Sequence, residues 1–219
     1  MQLSNKLINL ILQCLFKTYF KLQVSNQHYL PEQPFILVSN HASHMDSVAL
    51  SLATGKPLHN FCFLAAKDYY FSNKNLFKMV VRKFINLIPF DRQCTKRSNA
   101  FANNLAMCAT CLEQNKNLVI YPEATRSADG KIKSFKSGAS IIATEFNTLI
   151  VPAYIAGCYK LLPKVRCLPK PGKVAVIFGK PLDVKTYINI YQNNDLYRAI
   201  TKDLEKTVIQ LQQEFEQCQ

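Results

Sequence analysis

The sequence predicts an α/β fold: a mixed, largely parallel sheet covered by helices, with an amino-terminal amphipathic helix ahead of it. Two observations carry this reading. From residue 35 onward, short apolar runs of strand length alternate with longer segments of helical periodicity, the pattern of a sheet whose faces are covered by helices. The chain has 219 residues and is 48% hydrophobic, which suits one sizeable core and is too apolar for a disordered chain. We divide it into an amino-terminal helical segment, residues 1–30, and a single domain, residues 31–219.

Taken in order, residues 1–24 set Leu3, Leu7, Leu10, Ile11, Cys14 and Leu15 at helical spacings, with Lys6, Lys17 and Lys21 and no acidic residue. A basic amphipathic helix of this kind either lies in a membrane interface or packs on the domain core, and the pattern alone permits both. Its longest uncharged stretch, residues 7–16, contains Asn9 and Gln13 and falls short of the roughly 20 apolar residues that a spanning helix needs. No small-residue cleavage site precedes Lys17 and Lys21, so a signal peptide is not expected. Pro31 and Pro34 punctuate the entry to the domain.

Strands are expected at 35–38, 61–65, 87–90, 118–121, 149–154 and 174–178. Helices are expected at 46–53, 75–84, 98–114, 137–146 and 195–215. In the last of these Asp195 stands as N-cap, and Leu196, Ile200, Leu204, Val208, Leu211 and Phe215 form the apolar stripe.

The formal net charge is +13, which admits nucleic acid, an anionic membrane surface or an acidic protein as partner. The basic residues are scattered, and no helix-turn-helix, zinc-finger or aromatic RNA-binding pattern accompanies them, so nucleic acid is not expected. The eight cysteines fall mostly in apolar segments without the dense spacing of a disulfide-stapled secreted domain, which fits a reducing, cytosolic setting. Cys108 and Cys111 form a lone Cys-x-x-Cys inside an expected helix and read as two small buried residues rather than half of a zinc site.

The chemistry concentrates after the first strand, in Asn40-His41-Ala42-Ser43-His44-Met45-Asp46. On one continuous helix, side chains five positions apart point about 140° away from each other, so His41 and Asp46 can meet only if the chain breaks between them. A strand-to-turn-to-helix break at His41 is therefore predicted. An aspartate against one ring nitrogen fixes the histidine tautomer and leaves the other nitrogen as a general base able to activate a hydroxyl. Three later blocks accompany this one: Phe90-Asp91-Arg92, Tyr121-Pro122-Glu123-Ala124-Thr125-Arg126-Ser127, and Ile150-Val151-Pro152-Ala153. The first three blocks each follow an expected strand and so converge on the carboxyl rim of the sheet, where ligands collect in open α/β folds.

In their order and spacing the four blocks, from about residue 35 to residue 182, resemble the glycerophospholipid acyltransferase family, the 1-acyl-glycerol-3-phosphate (lysophosphatidate) acyltransferases. The resemblance implies an enzyme that moves an acyl group from a thioester, acyl-CoA or acyl-carrier protein, to the hydroxyl of a lysophospholipid, without cofactor or metal. It makes His41 the base and Asp46 its orienting partner, and assigns Arg92, Glu123, Thr125 and Arg126 to the acceptor. Guanidinium forks bind phosphate bidentately, which suits Arg92 and Arg126. Backbone amides at the helix start after His41 are candidate oxyanion donors.

The resemblance also implies peripheral, monotopic attachment at the cytoplasmic face of a membrane, which favours the interfacial reading of residues 1–24. The chain departs from the family at Ala124 and Asn86, where glycine is usual. If residue 124 needs a positive φ, alanine there is strained by roughly 1 kcal/mol or more. A metal site built on His41, His44 and Asp46 lacks further ligands in the sequence. Two rivals remain: a hydrolase that uses the same pair to activate water, and an inactive membrane-surface module whose one support is Ala124.

Overall fold

The computed structural model describes residues 2–70, 85–91, 99–163, 166 and 168–218, and nothing of the side chains at 2–5, 69 and 70. Arg92 and the helix expected at 75–84 lie outside the described residues. Seven strands form one sheet: β1 (Gln23–Ser25), β2 (Ile36–Ser39), β3 (Phe61–Ala66), β4 (Asn86–Phe90), β5 (Asn117–Ile120), β6 (Ile150–Ala156) and β7 (Ala175–Phe178), in the order β1-β7-β6-β2-β5-β3-β4. Every neighbouring pair is parallel except β6 and β7. The mixed, largely parallel sheet of the sequence reading is what forms.

The central strand β2 shows why. Phe35 and Leu37 enter one apolar cluster, with the helix Asp46–Ala53, with Phe16 from the amino-terminal helix Gln2–Thr18 and with Phe20 just beyond it. Ile36 and Val38 enter another, with the helices Asn99–Glu113, Gly138–Glu145 and Asn193–Gln217. Side chains alternate across a strand, so a run apolar at every position must be covered on both faces. The helix Asn193–Gln217 buries Leu196, Ile200, Leu204, Val208 and Leu211, as its stripe predicts.

Three expectations need amendment. The first helix ends at Thr18 rather than near residue 24, and Gln23–Ser25 pairs with β7, so the boundary expected at residue 30 falls between two strands of one sheet. Cys108 is buried as expected, but Cys111 is not a solitary small residue: a disulfide joins it to Cys62 on β3, with the two Cα atoms 6.6 Å apart. Asn86, in place of the family's glycine, starts β4 and donates its side-chain amide to the carbonyls of His59 and Phe61 at 3.0 and 3.1 Å.

Candidate active site

β2 ends at Ser39 and the next helix begins at Asp46, so the break predicted at His41 is present. Asn40 fixes where the chain leaves the sheet. Its side chain accepts the Ile155 amide at 2.8 Å and donates to the Ile155 carbonyl at 3.0 Å, clamping the end of β2 to β6. A buried asparagine that satisfies both groups of one residue has little freedom to move.

His41 Nδ1 lies 2.9 Å from Asp46 Oδ2. The same oxygen accepts the amides of Ala42 and Ser43 at 2.7 and 2.8 Å, and Asp46 is only 1% exposed. A carboxylate oxygen against Nδ1 fixes the tautomer with the proton on Nδ1 and leaves Nε2 to act as base. The His41 ring stacks on Tyr121, centroids 3.9 Å apart at 15°, and the Tyr121 hydroxyl lies 3.0 Å from Ser47 Oγ. The imidazole is thus fixed by the hydrogen bond to Asp46 at its edge and an aromatic face beside it.

Two amides proposed for the oxyanion, those of Ala42 and Ser43, are committed to Asp46, and that of Met45 is committed to Ser43 Oγ. Oxyanion donors at those three positions are therefore ruled out in this geometry.

Glu123 sits beside the pair rather than in the cavity wall. Oε1 accepts the His41 amide at 2.8 Å and Oε2 accepts the Lys133 amide at 3.2 Å, while the Ser127 amide donates to the His41 carbonyl at 2.8 Å. The third block is stitched to the histidine through main chain. Burial pushes the Glu123 carboxyl up to about 7 against the pull of those two amides, with a further upward push from Asp46. Ala124 follows in the left-handed region at φ 59°, so the turn has kept the conformation that glycine would favour and carries a methyl group in it.

A cavity of about 790 Å³ opens in front of His41. Its polar lining includes His44, Thr125, Arg126 and Lys136 together with Asp68 and Asp91, and its apolar lining includes Phe63, Leu87, Ile120 and Ile142, with Leu15 and Phe16 of the first helix and Phe20 just beyond it. Of the residues chosen from sequence, His41, Thr125 and Arg126 line this space, Asp46 and Glu123 support it from beneath, and Arg92 lies outside the described residues. Tyr121, Lys136 and Asn40 were missed as functional residues. Tyr121 opens the third block, a weak signal for the ring stacking; a lysine before a helix start and an asparagine after a strand carry none. Among the described residues, no group of three or more His, Cys, Asp or Glu side chains is arranged to hold a metal ion.

The acyltransferase family model matches residues 21–156. A probable 1-acyl-sn-glycerol-3-phosphate acyltransferase of Mycoplasma pneumoniae is 29% identical over 212 residues, 90% of this chain and 76% of that protein. The chloroplastic 1-acyl-sn-glycerol-3-phosphate acyltransferase of Arabidopsis thaliana is 28% identical over 171 residues, and the match spans 75% of this chain but only 44% of that protein's length. The crystal structure of the 1-acyl-sn-glycerophosphate (LPA) acyltransferase of Thermotoga maritima has the same fold, with a TM-score of 0.68 and 23% identity over 97% of this chain and 82% of that one. The chain belongs to the acyltransferase family.

Proposed function

We propose that this family member transfers a fatty acyl group from an acyl thioester to the hydroxyl of a lysophosphatidate or closely related lysophospholipid. The observation that carries the reading is the His41–Asp46 pair, with His41 lining a mostly apolar cavity that Arg126 and Lys136 also line. Such a cavity suits a phosphorylated headgroup and an acyl chain together.

In this reading His41 Nε2 takes the proton of the acceptor hydroxyl as its oxygen attacks the thioester carbonyl. Asp46 stabilises the imidazolium that forms. The new C–O bond forms, the tetrahedral intermediate collapses, the C–S bond breaks, and His41 returns the proton to the departing thiolate. The enzyme needs no nucleophile of its own, so Ser39 and Ser43 remain structural; both are fully buried, and Ser43 Oγ donates to the Leu162 carbonyl. Arg126 and Lys136 bind the acceptor phosphate. Arg92 is proposed for the same task by family resemblance. Glu123 acts by bracing His41, not by touching the acceptor. Acyl-CoA or acyl-carrier protein is the co-substrate, and no cofactor takes part.

We further infer that the first helix attaches the protein to the membrane without crossing it. Leu7, Leu10 and Ile11 are 58%, 62% and 56% exposed on a helix with no acidic residue in its first turn, and the same helix contributes Leu15 and Phe16 to the cavity. Among the described residues, no helix is long and apolar enough to span a bilayer. An apolar face next to the cavity mouth lets a lipid acceptor enter from the interface, and we assign the attachment to the cytoplasmic face of the membrane.

The test is thiol release from an acyl thioester, with and without lysophosphatidate, alongside product analysis. Release that depends on the acceptor and matches phosphatidate formed is expected. Release at the same rate without acceptor would make the protein a thioester hydrolase.

A further inference from the structure

The net charge of +13 is unevenly distributed along the chain, and the fold sharpens the imbalance. Residues 1–31 and 146–182 hold nine lysines and arginines and no acidic residue, whereas the helix Asn193–Gln217 alone carries five of the chain's 14 acidic residues. Far apart in sequence, the two acid-free stretches meet in the fold. β1 runs beside β7, the Gly172 amide donates to the Tyr19 carbonyl at 3.2 Å, and the Val174 amide donates to the Phe20 carbonyl at 2.9 Å.

They meet at the rim of the sheet that holds His41. β6 ends at Ala156 and β7 begins at Ala175, and the connection between them is closed at its base. Gly157, at φ 89°, lies so near the Lys173 carbonyl that a Cβ there would collide with it, and the Lys170 amide donates to the Leu161 carbonyl at 3.0 Å. The Leu162 carbonyl accepts Ser43 Oγ at 2.8 Å, two residues beyond His41. Leu162 and Pro169 of this connection line the cavity, as do Leu15 and Phe16 of the first helix.

Other side chains of the same segments face solvent. Lys160, Lys170 and Lys173 are exposed, as are Lys17 and Lys21 around the end of the first helix, and Leu168, two residues ahead of Lys170, is 77% exposed. Among the described residues, no carboxylate lies within ion-pair distance of these lysines. Asp129, on the loop that the Tyr159 hydroxyl reaches through the Ala128 carbonyl, accepts Ser127 Oγ and the Lys131 amide. Like charges gathered on one side of a molecule repel one another, and an anionic surface relieves that repulsion. A leucine set among cations matches the layering of a membrane interface, where phosphates meet the cations and the apolar side chain passes between headgroups.

We propose that Lys160, Leu168, Lys170 and Lys173, with Lys17 and Lys21, form a second membrane-contact surface that binds anionic lipid headgroups and seats the cavity on the bilayer. It differs from the apolar face of the first helix in what it reads: the helix buries apolar area, and this surface selects for headgroup charge. The inference rests on the peripheral-attachment reading for its setting, but its test needs no turnover.

The test is co-sedimentation of the full chain with vesicles of phosphatidylcholine alone and of phosphatidylcholine mixed with phosphatidylglycerol. Native protein should bind the mixed vesicles about tenfold or more tightly than the neutral ones, and added salt should shrink the difference. The variant Lys160→Glu, Lys170→Glu, Lys173→Glu should lose that difference yet bind neutral vesicles as the native protein does, because its first helix is untouched. Leu168→Ser should weaken binding to both kinds of vesicle about threefold or more. All four side chains are exposed, so far-UV circular dichroism should match that of the native protein in each variant.

Equal binding of the native and triple-lysine-variant proteins to mixed vesicles overturns the proposal. So does a lysine variant that keeps its vesicle binding but shows a raised KM for an acyl-carrier-protein donor and a native KM for acyl-CoA, since that result gives the surface to an acidic protein. Full binding to neutral vesicles by Leu7→Ser, Leu10→Ser, Ile11→Ser would sink attachment by the first helix instead, and the anionic preference would still decide this surface.

Discussion

Residues 40–46 and the helix Gln2–Thr18 stand at opposite limits of what one chain can do with its polar and apolar groups. In the turn, almost every polar atom is committed: Asn40 to Ile155, the His41 amide to Glu123, the His41 ring and two amides to Asp46. In the helix, Phe16 is buried, but Leu7, Leu10 and Ile11 are exposed. The difference teaches where each region gets its definition. The turn is over-determined from within, as a proton-transfer site must be if its atoms are to stay within a fraction of an ångström of working geometry. The helix leaves an apolar face exposed, which under our proposal the membrane surface covers.

The sharpest way to break the comparison is to disable the turn. His41→Ala and Asp46→Asn should each lower initial rates of acyl transfer about 10²- to 10⁴-fold, with far-UV circular dichroism unchanged. The helix should fail differently. Deleting it would take Phe16 out of the core, so the informative variant is Leu7→Glu, Leu10→Glu, Ile11→Glu, which alters only exposed positions. Co-sedimentation with anionic vesicles should fall about tenfold or more, and activity on vesicle-borne acceptor with it, whereas fold and thermal midpoint stay near native. Full vesicle binding by this variant would move the membrane contact elsewhere.

Arg126→Ala tests the cationic lining of the cavity. The KM for a phosphorylated acceptor should rise about tenfold, against little change for an uncharged monoacylglycerol, and equal changes on both would make Arg126 structural.

Smaller still is the effect of Glu123 on stability. Its folded-state value, about 7, is above the ordinary 4.5, so the native protein binds this proton more readily than the unfolded chain does. Its contribution to stability is therefore fully present below about pH 4.5 and is lost as pH rises toward 7. Relative to Glu123→Gln, which cannot ionise, the thermal midpoint of the native chain should decline across that window. A constant difference from pH 4.5 to 7 would contradict the buried placement of the carboxyl.

The least effect is expected at residue 124. Ala124→Gly relieves a positive φ and should stabilise the fold by about 0.5–1 kcal/mol, read as a small rise in denaturation midpoint, with turnover nearly unchanged.

What was legible in the sequence follows the same divide. Apolar runs and stripes reveal burial, so β2 through β7 and the helix Asn193–Gln217 could be read, and the offset of His41 and Asp46 required the break that the chain makes. The positive φ at residue 124 was legible as a question, because glycine is the usual occupant of such a turn. The three-residue strand β1 was not, since all of Gln23, Val24 and Ser25 are exposed and pair only along their backbone at an edge. Backbone partners are invisible in the same way. Glu123 bracing the His41 and Lys133 amides leaves no mark on residue type, so an acidic residue near phosphate ligands read as an acceptor contact. Contacts between distant segments, such as Cys62 with Cys111 and Asn40 with Ile155, depend on strand order that composition does not reveal.

The central claim is that acyl transfer resides in the turn and access to lipid in the helix. Initial rates on lysophosphatidate dispersed in detergent micelles, measured side by side for His41→Ala and for the Leu7, Leu10, Ile11 triple glutamate variant, test it most directly. Micelles supply the acceptor without a bilayer, so the triple variant should keep turnover within about threefold of native while His41→Ala loses about 10²-fold or more. A folded His41→Ala protein that turns over at close to the native rate in this assay would contradict the account.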